Sequence, residues 1–315
     1  MNLFIIGNGF DLGHGLPTHY WNFRMFLKEH HTIFLNEFEE KYTLWGEGLK
    51  KFLWNDIEFN LANIHEDTLY EKMYQNTDLG LESGNVGIED TLSYHFGEEF
   101  NYIEKLTIYL KDWIEEVSQE LDGANKKTTF IKESSPDIFI NFNYTTTLEE
   151  VYSIKKDRVL HIHGVVNSDD DLVLGHSNLD RIAYFNKKCS ESQNKGDEQS
   201  SPIYEILAEY CSNTYKDVKE NMPLLFSLNY DSIDKILIIG HSLSAVDLPY
   251  FKEIKESIGE DVKWNIYYYC ENEIDMFRKQ LKQIGVNEQQ IHMIPSSEFY
   301  DLPIVEQLSL KLIYS

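Results

Sequence analysis

The sequence predicts an α/β fold in which a mostly parallel sheet is flanked by helices and interrupted by large helical insertions. Short apolar runs bounded by turn residues are typical of strands buried on both faces. Longer stretches with helical periodicity separate these runs, as expected when helices connect parallel strands and cover the sheet. The chain has 315 residues, and a chain of about 300 residues buries roughly three quarters of its unfolded surface, so a large core is available.

Five apolar runs are the predicted strands, and the first of them ends in a glycine-rich turn. The last run is rich in tyrosine, which suits a strand. In chain order the runs are 3–6, 138–140, 159–162, 236–240 and 264–269.

Helical insertions are predicted at about 20–132 and about 180–232, within a single α/β domain that spans 1–315. In the first insertion, apolar residues recur at helical spacing along 102–117 and form one stripe. In the second, the polar stretch 190–201 has the composition of a loop. A further helix is predicted over 275–285, because Gly285 is a typical residue just after a helix.

The charge of the chain bears on its partners. The sequence has 28 Lys and Arg against 53 Asp and Glu, a formal net charge of −25. Such a surface repels phosphate backbones, so nucleic-acid binding is not the expected function. No apolar run is long enough to span a membrane, and no signal segment is recognised, so we expect a cytoplasmic protein without a membrane partner.

The cysteines argue against two kinds of site. There are 3 of them, at 189, 211 and 270. An odd number at wide spacing does not predict a disulfide framework or a zinc site. No metal is therefore predicted.

The first turn is the strongest local signal for a nucleotide. Gly7, Asn8 and Gly9 follow a buried strand, where small residues let backbone amides approach a pyrophosphate at the start of a helix. The spacing differs from the common dinucleotide fingerprint, so a tight turn that binds nothing is the alternative. Asp11 and His14 add ionisable groups beside the strand end.

Polar residues also follow the second and third predicted strands. Asn143 could bind a ribose hydroxyl or position a water, although Asn and Thr here also suit a helix N-cap. His161 and His163 lie two residues apart, so on a strand they would share one face and could form a metal pair, to which His176 or the acidic run 169–171 could add ligands. No strong metal spacing is present, and Gly164 beside His163 favours that histidine as the functional one.

The fourth and fifth predicted strands end in weaker signals. Ser242 follows Gly240 as in a nucleophile elbow, but the turn lacks the final glycine of that motif. Asp247 or Asp275, followed by His292, would complete the chain order of a hydrolase.

Glu271 follows the fifth predicted strand. That place often holds a ribose-binding acid in doubly wound folds, and a solvated strand end is the alternative.

Taken in order, these motifs resemble the abortive-infection AbiH family. The matching stretches span nearly the whole chain and are specific as an ordered set. They are FIIGNGFDL at 4–12 with GLPT at 15–18, NFNYT at 141–145, HIHG at 161–164, GHS at 175–177, and GHSL at 240–243 with Asp247.

The same series is similar, more distantly, to sirtuin-like domains. These domains bind NAD in a Rossmann-type fold, and several of them in phage defence hydrolyse it. The resemblance places their catalytic Asn and His on Asn143 and His163, and their Gly-x-Ser loop on Gly240 and Ser242. The chain departs from them in three respects: it lacks their zinc ribbon, so deacylation is not expected, it has Thr145 where they carry Asp, and it has Asp11 where they usually carry Ser.

This resemblance implies a phage-defence protein that binds NAD and hydrolyses it to nicotinamide and ADP-ribose. Asn143 and His163 are the expected catalytic residues, with Asp11 and His14 as second candidates. Histidine suits a base because its unperturbed pKa is about 6.5. The expected cofactor-binding residues are Gly7, Asn8, Gly9, Phe10, Thr18, Tyr144, Gly164, Gly240, Ser242, Leu243 and Glu271.

Two alternatives come from other classes of protein. One is a nucleotide sensor or interaction protein without turnover, and the other is a serine hydrolase that uses Ser242. The expected partners are NAD or a related nucleotide, a phage-derived trigger and further copies of the same chain.

Overall fold

The computed structural model describes residues 1–44, 46–82, 102–122, 124–168 and 172–300, with backbone alone for 76–82. The described residues divide into two compact units. The α/β unit comprises Met1–His19, Lys111–Val173 and 217–300, and the helical unit comprises the described parts of Tyr20–Leu110 and Leu174–Lys216. The part of the first predicted insertion at 83–101 and the acidic run 169–171 lie outside the described residues.

The α/β unit contains a six-stranded sheet, which confirms the predicted fold class. Every neighbouring pair of strands is parallel, and the order across the sheet is β3-β2-β1-β4-β5-β6. The strands are β1 (Asn2–Ile6), β2 (Ile138–Asn141), β3 (Val159–His161), β4 (Lys235–Ile239), β5 (Lys263–Tyr268) and β6 (Ile291–Pro295).

Five of these strands match the predicted runs, whereas β6 was missed. Strand β6 pairs only with β5 in the sheet order, so it is an edge strand. Its residues are mostly half-buried, and His292 is exposed. An edge strand of this kind lacks the continuous apolar run by which the central strands were recognised.

The helices are also defined in chain order, and between α3 and α4 the chain makes a π-helical segment at Leu49–Trp54. The helices of the described residues are α1 (Asn8–Gly13), α2 (Tyr20–His30), α3 (Thr32–Glu40), α4 (Ile57–Asn60), α5 (Glu66–Glu82), α6 (Tyr102–Ser118), α7 (Thr147–Tyr152), α8 (Leu179–Lys195), α9 (Ser200–Asn213), α10 (Val218–Leu225), α11 (Leu248–Ser257) and α12 (Ile274–Gln283).

The predicted loop at 190–201 is wrong except at 196–199, because residues on both sides of that stretch are helical. Helix α8 continues to Lys195 and ends at Gly196, which adopts a left-handed conformation with φ of 68°. Asp197 then accepts hydrogen bonds from the backbone N and the hydroxyl of Ser200 at the start of α9. The exposed side of α8 carries serine, glutamine and asparagine. These residues are also typical of loops, because an exposed helix face and a loop are both in contact with solvent.

Strand β1 is the centre of the core of the α/β unit. Its residues from Leu3 to Ile6 are fully buried. One face of the sheet packs against apolar side chains of α11 and α12, including Phe251, Ile254, Phe277 and Leu281. On the other face, the ring of Phe4 stacks on that of Phe139, with centroids 5.0 Å apart.

The helical unit has its own half-buried and buried polar contacts. Glu39 accepts two hydrogen bonds from Arg24, at 2.5 and 2.9 Å, and one from the indole N–H of Trp54 at 2.7 Å. The hydroxyls of Tyr42 and Tyr210 are 3.1 Å apart. Across the described ranges, each helix is too short or too polar to cross a bilayer.

Candidate functional site

The order of the strands identifies the edge of the sheet where a ligand is expected. The chain moves from β1 to β2 and β3 on one side of the sheet and then places β4, β5 and β6 on the other. In open parallel sheets, ligands bind beyond the carboxyl ends of the strands at the point where this order reverses. Here that point lies between the ends of β1 and β4.

The first turn, residues 7–18, packs tightly against the β4 turn, residues 240–247. The amides of Gly7 and Gly9 donate to the carbonyls of Ile239 and Gly240, at 3.0 and 2.8 Å, and that of Phe10 donates to Gly7 O at 2.9 Å. A Cβ on Gly7 would lie 2.6 Å from Gly240 O. These glycines therefore allow two backbones to meet, and their amides are engaged in that contact.

The β4 turn has an unusual backbone. Gly240 has a φ of 65°, and a Cβ there would lie 2.3 Å from the backbone N of Phe10. Leu243, which is fully buried, has a φ of 53°. Left-handed conformations of non-glycine residues cost about 1 to 3 kcal/mol and often occur at functional sites.

Asn8 and Thr18 close the first turn. The amide nitrogen of the Asn8 side chain donates to Thr18 O at 2.9 Å. The hydroxyl of Thr18 is buried, and no hydrogen-bond partner for it lies among the described residues. A buried hydroxyl in this situation is suited to a ligand that would satisfy it.

Asp11 connects the first turn to the segment that follows β2. Its carboxylate accepts hydrogen bonds from the hydroxyls of Thr145 and Thr147, at 2.6 and 2.7 Å, and is 1% exposed. Burial raises the pKa of Asp11 to about 6, although the hydrogen bonds from the two threonines and Asn143 act in the opposite direction. Asp11 can therefore change its protonation state near neutral pH.

Asn143 also fastens the first turn to the end of β2. Its side-chain amide donates to Gly7 O at 3.1 Å, and its backbone amide donates to the side chain of Asn141 at 3.0 Å. The residue is buried. Asn143 is therefore placed at the predicted edge, where it already supports the glycine turn.

His14 is held as a neutral ring. Because a carbonyl can only accept, Nδ1 donates to Phe10 O at 2.8 Å, and Nε2 must then accept from the hydroxyl of Tyr152 at 2.8 Å. That hydroxyl in turn accepts from the backbone amide of Lys127 at 3.0 Å. Burial lowers the pKa of His14 to about 4, so this ring is uncharged at neutral pH.

Two histidines share the carboxylate of Asp247, an arrangement that we call the Asp247 cluster. Nε2 of His163 lies 3.2 Å from Oδ1, and Nε2 of His241 lies 3.5 Å from Oδ2. The hydroxyl of Ser244 donates to Oδ2 at 3.3 Å. The ring of Phe142 makes edge contacts with both imidazoles. All three ionisable residues of the cluster are buried.

The pairing of Asp247 with the two histidines was not predicted from the sequence. Asp247 appeared there as part of a hydrolase triad and of an AbiH stretch, and His241 only as part of the GHSL motif. In the sequence, the one sign of this pairing was that Asp247 and His241 both follow strand β4.

His161 and His163 approach different carboxylates. Strand β3 ends at His161, so the rule that places residues two apart on one face does not extend to His163. Nε2 of His161 lies 2.8 Å from Oε1 of Glu149, whose other carboxylate oxygen is buried and lacks a partner among the described residues.

His176, the third candidate for a metal pair with these histidines, lies in the helical unit. Its Nε2 donates to Cys211 O at 2.9 Å, and its Nδ1 accepts from the backbone of Asn178 at 3.0 Å. Burial lowers the pKa of His176 to about 4. This neutral ring therefore supports the fold of the helical unit.

The remaining candidates lie along the carboxyl ends of the strands. The buried hydroxyl of Tyr144 donates to Val173 O at 2.9 Å, and Gly164 has a φ of 80°. Ser242 and Glu271 are exposed, after β4 and β5 respectively.

In the alternative hydrolase triad, Asp275 and His292 are both exposed. Asp247 instead directs its carboxylate towards His163 and His241.

Comparison with known proteins places the chain in a family. No curated protein and no solved structure matches it. The family model for bacteriophage abortive infection AbiH matches residues 3–268, which is most of the chain. The chain therefore belongs to the bacteriophage abortive infection AbiH family, which indicates a function in abortive-infection defence against phage.

Proposed function

We propose that the α/β unit binds NAD at the carboxyl edge of its sheet and hydrolyses it to nicotinamide and ADP-ribose. The strand order is the observation that carries this proposal. The order reverses between β1 and β4, and both of these strands end in glycine turns that meet there. This is where dinucleotides bind in sheets of the same order. Consumption of NAD in an infected cell would connect this activity to abortive infection.

Binding of the nucleotide is assigned to side chains more than to the glycine amides. The amides of Gly7 and Gly9 already donate to the end of β4 and the β4 turn. The hydroxyl of Thr18, which has no hydrogen-bond partner among the described residues, fits a phosphate or ribose oxygen, and half-buried Asn8 lies beside it. Exposed Ser242 lies on the opposite side of the switch point, in the β4 turn.

The reaction needs a base for water and little help for the leaving group. The oxygen of water bonds to C1′ of the ribose that bears nicotinamide, and the bond from C1′ to the ring nitrogen breaks. The electron pair of that bond passes to the ring nitrogen, which loses its positive charge, so nicotinamide leaves without receiving a proton. His163 accepts the proton of water and later releases it to solvent, while Asn143 orients the ribose or the water.

Asp11 and His14 have different prospects as proton-transfer groups. Asp11, with a pKa of about 6, has a suitable acidity. In His14 both ring nitrogens are engaged and the pKa is lowered to about 4, which favours a structural function.

A second candidate is nucleotide binding without turnover. His163 and Asn143 are only 2% and 6% exposed, and both are engaged in contacts with the protein. This arrangement favours a sensor that recognises the nucleotide through the same edge of the sheet.

The test measures nicotinamide release and NAD affinity for the wild type, His163→Gln and Asn143→Asp. His30→Gln, at the exposed end of α2, is the matched control. We expect release to fall by about 100-fold or more in the two site variants, at the low end of what a general base contributes. His163→Gln should bind NAD within a few-fold of the wild type.

Each alternative has its own result in this test. NAD binding without release by the wild type supports the sensor, and the absence of both contradicts the NAD proposal. Labelling by a fluorophosphonate probe that is lost in Ser242→Ala supports the serine hydrolase.

A further inference from the structure

His241 is held in a single neutral tautomer by the backbone of the β4 turn. The amide of Leu243 donates to Nδ1 of His241 at 2.9 Å. An imidazole nitrogen that accepts a hydrogen bond carries no proton, so the proton of His241 lies on Nε2. Leu243 has a left-handed backbone in this turn, and the cost of that conformation for a non-glycine residue indicates a function in holding this ring.

The two carboxylate oxygens of Asp247 lie near different side chains. Its Oδ2 faces Nε2 of His241 at 3.5 Å and accepts from the hydroxyl of Ser244 at 3.3 Å. Its Oδ1 is directed to Nε2 of His163, at 3.2 Å. Because His241 is neutral in this arrangement, it does not compensate the negative charge of the carboxylate.

We propose that Asp247, oriented by His241 and Ser244, is a positioning residue that keeps the proton of neutral His163 on Nε2. In that tautomer Nδ1 carries the lone pair of the ring, so it is the nitrogen through which the imidazole can take up a proton. Once it has done so, the imidazolium donates from Nε2 to a negatively charged partner, which stabilises it. The catalytic part of this inference rests on the proposed hydrolysis of NAD.

The first test reads the tautomer directly and does not need an active enzyme. Protein labelled with ¹⁵N-histidine is examined by two-bond ¹⁵N–¹H correlation spectra at about pH 8, where ordinary histidines are neutral. The signals of His163 and His241 are assigned by loss in His163→Gln and His241→Gln. We expect both rings to carry the proton on Nε2 in the wild type, and His163 to populate both tautomers in Asp247→Asn.

The second test separates binding from chemistry. Asp247→Asn should lower kcat for nicotinamide release by about 100-fold with KM unchanged within about twofold, because the substrate site is retained while the base is misoriented. Asp261→Asn, an exposed carboxylate in the turn before β5, is the control and should change neither value.

The outcomes separate this inference from the proposed function. A wild-type His163 with its proton on Nδ1 overturns the positioning, and so does an unchanged kcat in Asp247→Asn. If Asp247→Asn does not fold, the tautomer of His163 in the wild type tests the positioning by itself. A wild type that releases no nicotinamide, but in which Asp247 determines the tautomer of His163, supports the positioning and contradicts the hydrolysis.

Discussion

The first turn and the β4 turn each hold a buried carboxylate, but the two carboxylates contact different kinds of side chain. Each begins at a glycine after a central parallel strand, and each carries a buried aspartate. Asp11 in the first turn accepts from the hydroxyls of Thr145 and Thr147. Asp247 in the β4 turn faces two imidazoles.

This difference shows that the partner determines what a buried carboxylate can do. A hydroxyl can rotate to donate or accept, so it tolerates either protonation state of Asp11 and provides a structural tie. An imidazole can itself carry a proton, so Asp247 can influence the basicity and the orientation of its partner. The contacts of the first turn therefore suit a structural tie, whereas those of the β4 turn suit the orientation of the imidazole proposed as the base.

The largest effect is expected where the two turns meet. Gly240→Ala would place a methyl group 2.3 Å from the backbone N of Phe10, at a φ of 65°. Backbone must move, so the free energy of unfolding should fall by at least about 3 kcal/mol in urea denaturation. Gly285→Ala is the control, since Gly285 also has positive φ but open space around it, and should cost about 1 kcal/mol. Equal losses would show that the turns do not constrain each other.

The next effect concerns the tie between Asp11 and the threonines. Asp11→Ala removes the acceptor of two buried hydroxyls. These lie 3.2 Å apart, so one can still donate to the other, and the free energy of unfolding should fall by about 2 to 3 kcal/mol at neutral pH. Asp11→Asn should cost about 1 kcal/mol, because a rotated threonine hydroxyl can accept from the new amide. The midpoint of urea unfolding measures both, with exposed Asp261→Ala as the control. If Asp11→Asn and Asp11→Ala lower the free energy of unfolding by similar amounts, the threonine hydroxyls do not rotate to accept from the amide.

The raised pKa of Asp11 predicts a pH dependence. Folded Asp11 keeps its proton up to about pH 6, whereas in the unfolded chain it is lost near 3.8. The folded state therefore binds more protons in this range, and the stability from this group falls as the pH rises. Relative to Asp11→Asn, the wild type should lose about 1 kcal/mol of unfolding free energy between about pH 5 and pH 7.5. A difference that is constant over this range would place the pKa of Asp11 elsewhere.

The smallest effect tests the outer support of the first turn. The hydroxyl of Tyr269 donates to Gly9 O at 3.1 Å, and that of Tyr300 approaches the same carbonyl at 3.4 Å. Because the second hydroxyl remains, Tyr269→Phe should lower the free energy of unfolding by only about 0.5 to 1 kcal/mol. Tyr268→Phe controls for the loss of a hydroxyl at the neighbouring half-buried tyrosine. A loss above about 2 kcal/mol would make Tyr269 a principal support of the turn.

The five strands with a recognisable apolar or aromatic run were predicted, and the edge strand without one was missed. Strands β1 and β4 are buried on both faces, and their continuous apolar runs were recognised. Edge strand β6 and the exposed side of α8 were missed, because residues in contact with solvent resemble those of loops. Among the candidate site residues, Asn143 and Asp11 lie at the expected edge of the sheet, where they brace the first turn.

By itself, the sequence determined the fold class, the strands buried on both faces and the motifs at their ends, because these depend on patterns within a few residues. Only the tertiary structure decided the strand order, which brings the turns after β1 and β4 together. It also decided that Asp247 meets His163, and that Asp11 is buried enough to raise its pKa. Such contacts join residues far apart in the chain, and desolvation depends on everything that surrounds a group, so no local pattern encodes either.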